Sequence, residues 1–191
     1  IKKILSLREK FLYNDGNTFN FLRGDNMAFD INNYKNSDLD YKTKIFFEDL
    51  ERYLSKENDM TANLANTAAF ISAFFDNINW SGFYLLKENQ LVLGPFCGMP
   101  ATTRIDIGKG VCGTAFEKGE TLVVDNVCEF PGHIACDIRS KSEVVIPLVK
   151  NGKKYGVLDI DSSVYSRFSK KDVEILIKVL EILYKYTDFE K

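Results

Sequence analysis

No excess charge of either sign marks this chain. Its 191 residues carry 25 Lys and Arg against 27 Asp and Glu, a net charge of −2. The broad basic surface that nucleic acid requires is therefore missing, and no nucleic-acid partner is expected. Long apolar runs are missing too: none reaches the roughly 18 residues needed to cross a bilayer, so no membrane partner is expected. The first residues, IKKILSLREKFLY, are amphipathic but have no apolar h-region followed by a small-residue cleavage site, nor the Arg- and Ser-rich, acid-poor make-up of a transit peptide. The expectation is a cytoplasmic protein. No G-x-S-x-G, H-E-x-x-H or phosphate-loop string is present, which removes the common hydrolase, zincin and nucleotide-binding readings. There is no internal repeat. Cysteine is scarce, and Cys97, Cys112, Cys128 and Cys136 all fall in one stretch. A secreted disulfide scaffold would spread more of them through a shorter chain. Clustered cysteines in a reducing compartment point to metal or redox chemistry instead.

What is present is an ordinary globular composition, 45% hydrophobic and 27% charged, enough for one domain with a real core. Residues 1–40 read as an irregular extension, draped on the domain or partly disordered, because they are polar and rich in Asn and Asp with little periodicity. The Arg23-Gly24-Asp25 triplet within them is too short to carry a cell-adhesion reading. The domain itself is placed at 41–191. From Tyr41, Ile45, Phe46, Leu50, Tyr53 and Leu54 recur at helical steps, and a second helix starts near Asp59. NWSGFYLLK and QLVLGPF read as strands paired around Glu88-Asn89, with a further strand over 103–107. GVCGTAFEKG reads as a short helix, followed by a strand at TLVV. EVVIPLV and KKYGVLDID form a hairpin around Asn151-Gly152, since a two-residue Asn-Gly turn needs positive φ at both positions. A last helix starts at Ser169, with Asp172 as its capping-box partner. Hairpin-linked strands imply an antiparallel sheet. Helices at both ends cover one face, and the loops from 96 to 142 with the short helix close a small-molecule site on the other. The fold class is α+β.

The chemistry centres on FPGHIACD, residues 130–137, which holds the one histidine. Several readings compete. A Cys3His zinc site of Cys112, Cys128, His133 and Cys136 lacks the close C-x2-C pairs that set tetrahedral geometry, so no metal is expected. A Cys–His hydrolytic pair draws its members from distant segments, whereas His133 and Cys136 are three apart. His133 reads as a loop histidine hydrogen-bonded to backbone, or else as a group that tunes the loop or a thiolate. A redox thiol needs exposure and a second thiol in reach, and Cys136 on a Pro-Gly loop fits. Cys128 reads as a small buried hydrophobe, while Cys112 stays open between that role and a reactive one. Asp159 and Asp161 alternate with apolar residues, so both carboxylates share one sheet face, and Glu143 opens the partner strand. They are either a solvated strand end or a group that suits an ammonium. In the second case crowding can keep one of them protonated, able to donate to an oxygen.

Taken together, Trp80-x-Gly82-Phe83-Tyr84, Leu93-Gly94-Pro95-Phe96, Gly110-Val111-Cys112-Gly113, FPGHIACD, Ser142-Glu143 and Gly156-Val157-Leu158-Asp159-Ile160-Asp161-Ser162, with Ala62-Asn63-Leu64-Ala65-Asn66, strongly resemble the free methionine-(R)-sulfoxide reductases, a GAF-domain family. The resemblance runs from about Tyr41 to the C-terminus. It implies a six-stranded antiparallel sheet, a homodimer, and reduction of free L-methionine-R-sulfoxide. It implies no bound cofactor. Electrons would come from thioredoxin, fed by NADPH and thioredoxin reductase. Cys136 matches the attacking thiol, which would pass through a sulfenic acid to a disulfide. Cys112 matches a further family cysteine. Glu143, Asp159 and Asp161 match the carboxylates that hold the substrate ammonium and help protonate the sulfoxide oxygen. Trp80 and Tyr84 match the walls around the S-methyl end. One position departs: the cysteine expected ten residues before Cys112 is Thr102, which cannot resolve a sulfenate. Cys97 or Cys112 is then the expected resolving thiol. The alternative is a GAF small-molecule-binding or redox-sensing module without turnover.

Overall fold

A computed structural model describes residues 29–34, 38–134 and 138–190. The Arg23-Gly24-Asp25 triplet, most of the polar segment and Cys136 lie outside the described residues. Helix α1 spans Leu39–Leu54, and the Asp38 side chain accepts from the Asp40 and Tyr41 amides. The helix thus begins at Leu39 rather than Tyr41, because Asp38 supplies the cap that orphan first-turn amides need. Residues 29–34 lie against it. Tyr34 is buried edge-on to Phe46 and Phe74, and its hydroxyl donates to Asp49. Helix α2, Met60–Phe74, is capped by Asp59.

Strand β1 (Ile78–Lys87) turns into β2 (Gln90–Gly98), and β3 (Arg104–Asp106) follows. Both Glu88 and Asn89 adopt positive φ, and so do Asn151 and Gly152, as tight hairpin turns require. Helix α3 (Gly110–Lys118) leads to β4 (Leu122–Val124) and a short 3-10 turn at Val127–Glu129. The hairpin of β5 (Ser142–Lys150) and β6 (Lys153–Ser162) precedes α4, Lys170–Tyr186, whose capping box joins Ser169 and Asp172.

The six strands form one antiparallel sheet in the order β3-β2-β1-β6-β5-β4. Alternation splits β1 between two cores. Phe83 and Leu85 pack with α1, α2 and α4 on one face, while Trp80 and Tyr84 pack with α3 on the other. Loop residues Ala101, Phe130 and Ile134 complete the second core. The first core anchors the sheet, and the second positions the chemistry. Among the described residues no helix is long and apolar enough to cross a membrane.

Candidate active site

The central strands bring the predicted acids and aromatics into one place. Pairing sets Trp80 opposite Asp161, and Asp161 opposite Glu143. Directly opposed residues share a sheet face, so β1, β6 and β5 contribute an indole and two carboxylates to a single row. Asp159 lies on the same face in the next row, between Gly82 and Val145. Glu143, Asp159 and Asp161 are all buried. The solvated-strand-end reading is thereby overturned, because α3 and the 130–134 segment cover this end of the sheet.

Burial of a carboxylate without full compensation favours its neutral form. Glu143 shows this. Desolvation first, and then the negative charge of Asp161, push its pKa well above the ordinary carboxylate value, while hydrogen bonds with Asp159 and Cys112 offset part of the rise. A neutral Glu143 can donate a proton. Three crowded acids also leave a place where a positive group is favoured.

The short string GVCG sets the thiol. A Cβ on Gly113 would lie 2.3 Å from the Asp106 carbonyl oxygen, and the Gly108 amide donates to the Gly113 carbonyl at 2.9 Å. Only glycine lets the first turn of α3 press onto the turn that follows β3. Cys112 then points inward, and its Sγ donates to Glu143 Oε1 at 3.9 Å. Cys112, Glu143 and Asp159 each place one donor atom within 4.8 Å of the others.

Three rings form the wall. Trp80 stacks on Phe96 at 5.3 Å and on Tyr84 at 5.9 Å between ring centres. Their polar tips are used as well. Trp80 Nε1 donates to the Met99 carbonyl at 3.1 Å, and the Tyr84 hydroxyl donates to the Thr102 carbonyl at 2.8 Å. Both predicted wall residues therefore also pin the 99–103 connection, which holds Thr102.

The FPGHI segment forms the fourth side. Its turn closes with the His133 amide donating to the Phe130 carbonyl at 3.1 Å, and Gly132 takes positive φ. Phe130 and Ile134 dock on the second core, and Ile134 fills the space beside Gly110 at the start of α3. Held on both sides, His133 aims its ring inward, with Nε2 3.6 Å from Glu143 Oε2. Its ring is thus turned to the carboxylates rather than to backbone. Burial lowers its pKa, and Asp159 partly offsets this. The sequence alone reads His133 as hydrogen-bonded to backbone, because a loop gives no periodicity from which ring direction can be read. Phe96, the third ring of the wall, was missed as well; its place in Leu93-Gly94-Pro95-Phe96 was the available signal.

Two cysteines are placed differently from expectation. Cys97 lies opposite Ser81 on β2, and Ser81 Oγ donates to the Ala68 carbonyl of α2. Cys97 accordingly packs against the helical core, on the sheet face away from Glu143 and Cys112, and burial raises its pKa. The structure does not bring it to the site. Cys128, read as a buried hydrophobe, is exposed: the 3-10 turn buries Val127 and points the next residue outward.

A GAF-domain family model matches residues 60–182. The chain belongs to the GAF-domain family. The free methionine-R-sulfoxide reductase of Escherichia coli K12 is 44% identical over 153 residues, covering 76% of this chain and 93% of that protein. The Saccharomyces cerevisiae free methionine-R-sulfoxide reductase is 44% identical over 136 residues, covering 67% and 76%. Among solved structures, the Neisseria meningitidis free methionine-R-sulfoxide reductase, determined with its substrate, superposes with a TM-score of 0.74 at 42% identity over 80% of this chain and 92% of that one. Within the GAF family, this chain falls among the free methionine-R-sulfoxide reductases.

Proposed function

We propose that the protein reduces free L-methionine-R-sulfoxide to methionine with electrons from thioredoxin. The observation that supports this most directly is the buried row of Trp80, Asp161 and Glu143 with the Cys112 thiol against it. Asp159 and Asp161 balance the substrate ammonium, and the neutral Glu143 carboxyl serves the sulfoxide oxygen. The stacked rings receive the S-methyl group. An amino acid inside a peptide lacks the ammonium and leaves buried carboxylates uncompensated, which is costly.

The Cys136 thiolate attacks the sulfoxide sulfur. Oxygen passes to Cys136 as a sulfenic acid with uptake of one proton, and methionine leaves as the sulfide. The Cys112 thiol then condenses with the sulfenic acid, forming a disulfide and releasing water. Thioredoxin dithiol reduces that disulfide by exchange, becoming oxidised itself, and NADPH with thioredoxin reductase restores it. The position of Cys112 beside Glu143, and of Cys97 on the far face, favours Cys112 as the resolving thiol. The working assembly is a homodimer with residues 1–40 as an extension of the 41–191 domain, in the cytoplasm.

The test is NADPH oxidation coupled through thioredoxin. Free Met-R-sulfoxide should be consumed, while Met-S-sulfoxide, peptide-bound sulfoxide and the Cys136→Ser variant should give no turnover. The replacement of the usual cysteine by Thr102 favours a second reading, a binding or redox-sensing GAF module. Tight methionine binding without turnover would establish that one instead.

A further inference from the structure

We propose that His133 is the proton relay of this site, carrying protons between water and the Glu143 carboxyl during sulfoxide reduction. The inference rests on the reductase reading and concerns a residue which that reading leaves unused.

Reduction consumes a proton at the sulfoxide oxygen. When Glu143 gives up its proton there, it is left as a buried anion beside Asp161 and Asp159. The proton has to be replaced before the next turnover, and the carboxyl has no path of its own to water: its side chain is only 4% exposed. Asp159 and Asp161 on β6 and Cys112 on α3 face the same space and are equally buried. Among the described residues, His133 is the titratable side chain that faces Glu143 and also reaches solvent, at 16% exposure.

Its geometry suits the task. Nε2 is buried, makes no hydrogen bond, and lies 3.6 Å from Glu143 Oε2. That gap is longer than a hydrogen bond, as catalytic contacts often are before substrate binds, and small movement or one water closes it. An imidazole has two nitrogens, so one can hand a proton inward while the other takes a replacement from outside. Nε2–H returns a proton to the Glu143 anion, and the ring recovers one from water at its other nitrogen. No net charge accumulates. Phe130 and Ile134, before and after it in the chain, dock on the second core and so fix the backbone from which His133 reaches inward.

Two measurements test this. The first follows thioredoxin-coupled turnover at saturating thioredoxin, in which Glu143 must be reprotonated in every cycle. His133→Asn should lower kcat by about 100-fold, the scale of general acid–base catalysis, with the substrate KM little changed and the first methionine, released while Glu143 still holds its proton, formed at the wild-type rate. Added imidazole should restore much of the lost rate. A rate within about twofold of wild type across roughly pH 5 to 9, or a loss that imidazole does not repair, would overturn the proposal. The second needs no turnover, so it separates failure of the relay from failure of the reductase reading. His133 is the chain's one histidine, so its ring proton resonance is assigned without ambiguity. Its titration midpoint should move by about half a unit or more in Glu143→Gln, as expected for coupled neighbours. An unchanged midpoint would sink the relay whatever the enzyme assay shows.

Discussion

Glu143 and Asp161 face each other across the β5–β6 pair, both out of water. Like charges so placed cannot both ionise cheaply, and this relationship has a consequence for stability. A glutamate in the unfolded chain titrates near 4.5, while folded Glu143 titrates well above that value, chiefly because of burial and secondly because of Asp161. Between those two pH values the folded state holds the extra proton. Stability is therefore greatest below the unfolded value and falls as pH rises toward the raised one, then levels. The contribution from this one proton falls by at most about 1.4 kcal/mol per pH unit. Glu143→Gln should flatten the decline and gain on wild type above neutrality. Urea unfolding at a series of pH values reads this out, and an unaltered slope in the variant would refute it.

The two candidate resolving thiols separate by sheet face. Cys97→Ser should retain thioredoxin-coupled turnover, because Cys97 packs into the helical core. Cys112→Ser should complete a single reduction and then stall, with Cys136 held as a sulfenic acid that a dimedone-type reagent traps. Peptide mapping of oxidised wild type should show a Cys112–Cys136 disulfide. A Cys97–Cys136 linkage would contradict the assignment.

Much of this was legible in the sequence. The Asn151-Gly152 turn, the Ser169 cap and the Glu88-Asn89 turn are local signals, set by φ preference and by side-chain capping within a few residues. Alternation in LDID was enough to put Asp159 and Asp161 on one face. The side of Cys97 was not legible. LVLGPFCG is apolar throughout and β2 is partly buried along most of its length, so no alternation distinguishes its faces. The direction of His133 was hidden for a different reason: it depends on where Phe130 and Ile134 dock, a tertiary fact. Exposure of Cys128 depended on the 3-10 turn at Val127–Glu129, three residues that leave little pattern.

Tyr84 does two jobs, as a ring in the wall and as a clasp on Thr102. Tyr84→Phe keeps the first and removes the second. It should cost about 1 kcal/mol of stability and raise KM severalfold with kcat less affected, as the 99–103 connection loosens. Thermal unfolding and steady-state kinetics check the pair of effects. Unchanged KM would show that the clasp does not shape the site.

Gly156 tests the frame beneath the site. It sits at φ +155°, and a Cβ there would lie 2.0 Å from the Tyr84 carbonyl oxygen. β6 could accommodate it only by moving off β1, the strand that carries Trp80 and Tyr84. Gly156→Ala should destabilise the fold by about 2–4 kcal/mol, measured as a lower urea midpoint. A midpoint equal to wild type would mean the strands are less tightly apposed than described.

The central claim is that the buried acids read a free ammonium beside a reducible sulfur. Its most direct measurement is kcat/KM for free L-methionine-R-sulfoxide against its N-acetylated form, in the same thioredoxin-coupled assay. Loss of a charge that buried groups are built to meet predicts a preference of about 1,000-fold or more for the free amino acid. Equal values for the two compounds would contradict the account.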